Sequence, residues 1–193
     1  MPGIVTGEII RGFSGKVPAR GDFVHAGLPR DFNDPWHDWQ SAVIAGSRTL
    51  MGEAWLEAFL EAPVWRFVLP SHLCGPRAVV GLIMPSVDKV GRYFPLTFAA
   101  LADAGTPDAA EWSGWLDAAE DLGRAALDED APPERLMPLP PPSGLNFTNE
   151  KISVWWTDGG PRVEASRLAL PSLPTAAGFA AMLGHLAPAE SAS

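Results

Sequence analysis

Ala78-Val79-Val80-Gly81-Leu82-Ile83-Met84 is a nearly continuous apolar run. A strand with one wet face alternates apolar and polar residues, whereas a strand covered on both faces does not. The run therefore reads as a central strand buried on both sides. Val64–Leu69 before it and Tyr93–Leu101 after it are two further strands. The link Pro85-Ser86-Val87-Asp88-Lys89-Val90-Gly91-Arg92 is polar and short enough for an antiparallel connection. Upstream, Gly12, Gly15, Pro18, Gly21, Gly27 and Pro29 break the chain into short extended pieces, Glu8–Phe13 and Asp22–His25.

Helices are expected on both sides of this sheet. One starts near Asn33, an N-cap candidate followed by Asp34 and Pro35, with Trp36, Trp39, Val43, Ile44 and Leu50 at helical spacing and Gly52 as its stop. A shorter one covers Glu53 to Glu61, with Trp55, Leu56, Phe59 and Leu60 inward and Pro63 closing it. The clearest runs from Asp108 to about Leu127, where Trp112, Trp115, Leu116, Ala119, Leu122 and Ala126 form one stripe. Residues 131–144 carry six prolines, which excludes helix and central strand there. Lys151–Thr157 is a strand, and Arg162–Ser166 is expected to pair with it across the Asp158-Gly159-Gly160 turn. A last helix spans Pro174 to His185. The expectation is a single α/β domain over 1–193, with residues 131–150 as an internal proline-rich connection and 187–193 as a flexible tail.

Composition narrows function. The 193 residues are 47% hydrophobic and 19% charged, which excludes a disordered chain. Lys/Arg number 14 against 23 Asp/Glu, and the net charge of −9 argues against nucleic acid or an anionic membrane as partner. The first hundred residues are balanced at nine and nine, so the whole deficit lies beyond them. One cysteine, Cys74, excludes an intrachain disulfide and offers no zinc spacing. No run reaches the roughly 18–20 apolar residues of a membrane span, and no signal peptide opens the chain, so a cytoplasmic location is expected.

Catalytic templates fail in turn. Gly12-Phe13-Ser14-Gly15-Lys16 resembles part of a phosphate loop, but Ile10 stands where the first glycine belongs and Val17 where Ser or Thr would hold magnesium. There is no Gly-x-Ser-x-Gly elbow. Ser14, Asp22 and His25 make a nominal triad of the kind any chain with four histidines supplies. His25, His37, His72 and His185 are scattered, so no metal and no cofactor are expected. What stands out is charge set in apolar, Gly/Pro-rich stretches: Lys16, Arg20, Asp22, Arg66, Asp88 and Arg92. One reading is a structural network in which Asp22 or Asp88 compensates Arg66 or Arg92. The other is a site for an anion or acidic partner built from Lys16, Arg20 and Arg92. Trp155 and Trp156 are adjacent and point to opposite faces of a strand, which makes an exposed one a further partner-binding candidate.

Taken together, the motifs resemble a known family. Gly12-Phe13-Ser14-Gly15-Lys16-Val17-Pro18-Ala19-Arg20-Gly21-Asp22-Phe23 resembles the start of the TagF (ImpM) family, accessory proteins of bacterial type VI secretion. So do Leu28-Pro29, Phe32 with Trp36 and Trp39, and Pro63-Val64-Trp65-Arg66-Phe67. The strongest match is Met84-Pro85-Ser86-Val87-Asp88-Lys89-Val90-Gly91-Arg92-Tyr93-Phe94-Pro95-Leu96. Weaker echoes follow in Ser153-Val154-Trp155-Trp156 and in Leu170-Pro171 ahead of Phe179 and Met182-Leu183. Val17 stands where the pattern more often has Leu, and residues 103–150 carry no motif of it.

The resemblance implies a three-layer α/β/α sandwich with a mixed, largely antiparallel central sheet. It also implies a cytoplasmic, non-enzymatic, post-translational repressor of type VI secretion. Its partner would be a forkhead-associated-domain scaffold protein, in parallel with a threonine kinase/phosphatase switch. Some relatives carry a fused protein phosphatase, for which the 193 residues leave no room. The alternatives are a structural or assembly subunit of the secretion apparatus and a cryptic hydrolase using Asp22, His25 or Cys74. The charge and the short strand edges favour a freely diffusing monomer over the subunit.

Overall fold

The computed structural model describes residues 9–103, 105–128, 131–141 and 146–186. Strands β1 (Ile10–Gly15) and β2 (Val24–Ala26) lead into helices α1 (Arg30–Met51) and α2 (Trp55–Leu60). Strands β3 (Trp65–Leu69), β4 (Ala78–Met84) and β5 (Leu96–Ala102) follow. Then come β6 (Thr106–Pro107), α3 (Ser113–Asp128), β7 (Phe147–Thr148), β8 (Ser153–Thr157), β9 (Ser166–Leu170) and α4 (Ala176–Met182). Seven strands form one sheet in the order β2-β1-β5-β4-β3-β8-β9, while β6 and β7 pair separately. Every pairing among the described residues is antiparallel, the limit of the largely antiparallel sheet expected.

Strand β4 is buried along its whole length, as its unbroken apolar run demands. Val79 and Ile83 join one core, beneath α1, α2 and α4, with Trp36, Phe67 and Trp155 at its centre. Val80, Leu82 and Met84 join the other, beneath α3, with Phe98, Trp112 and Leu116. Helices thus cover both faces. Gly123 lets α3 approach closely, since a Cβ there would collide with Met84 and press on the Phe98 ring. No helix among the described residues is long and apolar enough to cross a membrane.

Several elements depart from their sequence expectation. Helix α1 begins at Arg30 after an extended Pro29, so Asn33 lies within its first turns and caps nothing. The earlier start puts Phe32 one turn before Trp36, where the buried rings stack at 5.5 Å. Gly52, at φ 58°, does end the helix. A 3-10 turn, Gly52–Ala54, precedes α2. Trp55, Ala58 and Phe59 make its inner stripe, leaving Leu56 and Leu60 exposed, because a six-residue helix has only one buried side. Strand β5 starts at Leu96, not Tyr93, since Tyr93 bridges Val87 and Phe94 N–H donates to Ser86 O to close the preceding loop.

The last strand is Ser166–Leu170 instead of Arg162–Ser166. Arg162 is drawn to α2 by Glu57 at 2.8 Å and Glu61 at 2.5 Å, while Leu168 and Leu170 pack on the core. Helix α3 follows a 3-10 turn, Ala109–Trp112, whose Asp108 cap accepts from Ala110 N–H. Residues 131–141 hold one 3-10 turn, Pro133–Arg135, and neither strand nor α-helix. Prolines give no N–H but keep their carbonyls: Pro138 O accepts from Arg11 and nearby Leu139 O from Trp115, seating the segment with Leu136 buried. Residues 142–145 of the proline-rich stretch, the tail 187–193 and Glu8 lie outside the described residues.

Candidate partner-binding surface

Two loops of the sequence motifs meet at one carboxylate. Gly15 ends β1 with φ 138°, and a Cβ there would strike the Pro95 carbonyl, so only glycine lets the chain turn Lys16 inward. Asp88 opens the turn between β4 and β5. Its Oδ1 accepts from the N–H groups of Val90 (3.1 Å) and Arg92 (2.9 Å), and Gly91 supplies the left-handed residue at φ 85°. Its Oδ2 accepts from Lys16 Nζ at 2.5 Å and from Arg92 Nε at 2.7 Å. Lys89 N–H donates to Arg20 O, Ser86 Oγ–H to Lys16 O, and Arg92 Nη2 to Gly21 O. The loops 16–23 and 86–92 are therefore fastened by charge and by backbone at once.

Burial alone would raise the Asp88 pKa, but the bonds from Lys16, Arg92 and Val90 outweigh it and hold the carboxyl well below the usual carboxylate range. Lys16, offered by the sequence as a partner-binding cation, is buried in this network with its ammonium 4.7 Å from the Phe23 ring centre. Arg20 and Arg92 remain about half exposed, and Lys89, whose N–H meets Arg20 O, is exposed as well. Phe23, 45% exposed, and Val90, 68% exposed, lie among these cations. The outer surface of the fastened loops thus combines apolar and basic groups. Phe23, Val90 and Lys89 were missed at the sequence level, and the available signal was their place inside the two densest motifs.

Of the remaining candidates, Asp22 alone lies on these loops, where it adds an exposed carboxylate. Arg66 is compensated by neither Asp22 nor Asp88; α3 supplies Asp117 at 2.7 Å and Glu120 at 2.9 Å. Burial alone would lower the Arg66 pKa, but its bonds to those carboxylates raise it. Glu120 is held below its ordinary value: burial opposes this, and Arg66 and Arg124 prevail. Asp22 is exposed and joins no ion pair among the described residues. Trp155 is fully buried against Trp36 and Phe67, while Trp156 is half-buried on the α3 face, beside Arg66 in register.

The register sets Ser14 opposite His25, but among the described residues no side-chain hydrogen bond joins any two of Ser14, Asp22 and His25. Cys74 is buried, which pushes its thiol up to about 12. No group of three or more His, Cys, Asp or Glu gathers as metal ligands among the described residues.

The sequence model of the TagF N-terminal domain, described as type VI secretion system-associated, matches residues 12–138. That span contains both fastened loops. It also takes in α3 and the segment 131–138, so the motif-poor stretch beginning at residue 103 is within the match as far as 138. No curated protein matches the chain. Among solved structures, the crystal structure of PA0076 from Pseudomonas aeruginosa PAO1 at 2.05 Å resolution is similar at TM-score 0.80 and 33% sequence identity. The similarity covers 95% of this chain and 99% of that one.

Proposed function

Because the chain belongs to the family of type VI secretion-associated TagF N-terminal domains, we propose that it is a cytoplasmic, non-enzymatic regulator that restrains type VI secretion after translation. It does so by binding a forkhead-associated-domain scaffold protein of the same system. An accessory role in type VI secretion follows from the family, and the repressor mechanism is the reading the surface supports best.

The observation that carries it is the loop pair 16–23 and 86–92. These loops lie within the family match and are locked by Asp88. They present Phe23 and Val90 among Arg20, Lys89 and Arg92 on a chain of net charge −9. A surface already ordered before contact loses little conformational entropy on binding. Exposed apolar groups rimmed by charge are the usual makings of a protein interface.

Light scattering after size exclusion, on this protein alone and mixed with the forkhead-associated-domain protein of the same genome, tests the reading. A new peak at the summed mass is expected. Two unshifted peaks at micromolar concentration would contradict it.

A further inference from the structure

We propose that the outer edge of β2 takes an extended, acidic segment of a partner protein as an added strand; this rests on reading the chain as a partner-binding regulator. Strand β2 ends the sheet: it pairs with β1 on one side and, among the described residues, with no strand on the other. Such an edge presents backbone donors and acceptors that a second chain can complete. The opposite edge, β9, carries Arg167 and runs into Pro171. Within β2, Val24-His25-Ala26 has neither a lysine nor a proline to deter pairing.

Beside this edge lies a groove of about 340 Å³. Phe13, Arg20, Phe23, Val24, Glu134 and Met137 are among the residues that line it. Phe23 and Met137 keep 45% and 39% of their surface in water, leaving apolar area for a ligand to cover. One ion pair spans the groove, Arg20 to Glu134 at 3.5 Å, with both side chains largely solvated. Exposed pairs of this kind are weak and readily exchanged. Glu134 therefore occupies the place that a partner carboxylate would take on Arg20.

Charge selects the same partner. The chain carries −9 overall, yet Arg20 lines this groove and is tied through backbone to Lys89 and, at Gly21, to Arg92. With Lys16 these are four cations against Asp22, Asp88 and Glu134, so the local balance is positive and an acidic segment is favoured here over the rest of the surface. Alternate residues of an added strand face one side of the sheet. The preferred sequence accordingly sets every second side chain toward the groove, apolar ones against Phe13, Val24 and Met137 and one Asp or Glu of that same-facing set on Arg20.

The test uses a phage-displayed library of random peptides selected on the immobilised full chain at low salt. The enriched peptides, made synthetically, are then measured by fluorescence anisotropy and amide hydrogen exchange. Enriched sequences are expected to carry apolar residues at alternate positions with an Asp or Glu among them, and to protect amides within 24–26 that do not face β1. They are expected to lose about tenfold in affinity with Arg20→Glu and to weaken as salt rises. Met137→Glu, at an exposed position, is expected to weaken them also, and circular dichroism confirms that both variants fold. Failure to enrich any sequence, enrichment of basic sequences, or protection confined to other strands would overturn the proposal. The selection contains no secretion protein, so its failure and a failure to bind the forkhead-associated-domain protein are separate results.

Discussion

Asp88 and Arg66 each tie two segments together through paired charge, but in different surroundings. The Asp88 side chain is fully enclosed and meets a Lys16 side chain only 6% exposed. Arg66 is itself 12% exposed, yet one of its carboxylates, Asp117, is 65% in water. The first keeps solvent from Asp88 and Lys16, though not from Arg92, and is completed by backbone N–H groups of its own turn. The second lies at the seam between α3 and the sheet, where water screens part of every interaction. Sign and distance are therefore poor guides to what an ion pair contributes. What counts is whether removing one member strands the other away from water.

The largest effect is expected at the enclosed network. Lys16→Met should cost about 3 kcal/mol in urea unfolding, at the low end for a broken buried pair because Arg92 still meets Asp88. A loss no greater than that of an exposed pair would erase the contrast. Arg66→Met should cost about 1–2 kcal/mol by the same measurement, since Asp117 regains full hydration and Glu120 keeps Arg124.

Acid unfolding separates the regions further. Asp88 and Glu120 both have depressed pKa values in the folded chain. Their contributions are complete above the ordinary carboxylate range, near pH ~4, and are lost as pH falls through the folded values. Asp88→Asn should therefore flatten the acid limb of the stability curve more than Glu120→Gln does. Equal slopes in the two variants would show the carboxylates to be equally engaged. The smallest effect belongs to the outer surface: Arg20→Ala should leave stability within about 0.5 kcal/mol of wild type, as its only charge partner among the described residues is the distant, solvated Glu134.

The same contrast explains what could be read from the residues alone. The bounds of β4 follow from its run Ala78–Met84, because a strand buried on both faces leaves no polar interruption to misplace its ends. The Gly52 stop of α1 was equally legible, since few other residues adopt φ near 58° there without strain. Elements set by tertiary contact were not. Asn33 looks like a cap until Phe32 is known to stack on Trp36. Arg162 looks like a strand residue until Glu57 and Glu61 come beside it. At the surface, Asp88 and Arg92 lie four residues apart, and their pairing is one of the alternatives the sequence offers. The carboxylates of Arg66 are 51 and 54 positions away on α3, beyond any local pattern. The sequence offers Lys16 as a partner-binding cation because its carboxylate sits 72 residues on, in the other loop.

The account rests on the outer surface of the fastened loops being the face that meets the partner. Calorimetric titration of the forkhead-associated-domain protein into wild type, Arg20→Ala and Trp156→Ser tests it most directly. The account predicts saturable binding to wild type, about tenfold weaker binding to Arg20→Ala, and unchanged binding to Trp156→Ser, whose side chain lies beside Arg66 on the α3 face of the sheet. Undiminished binding to a folded Arg20→Ala, with the loss appearing instead in Trp156→Ser, would contradict it and move the interface to the β8 side of the sheet.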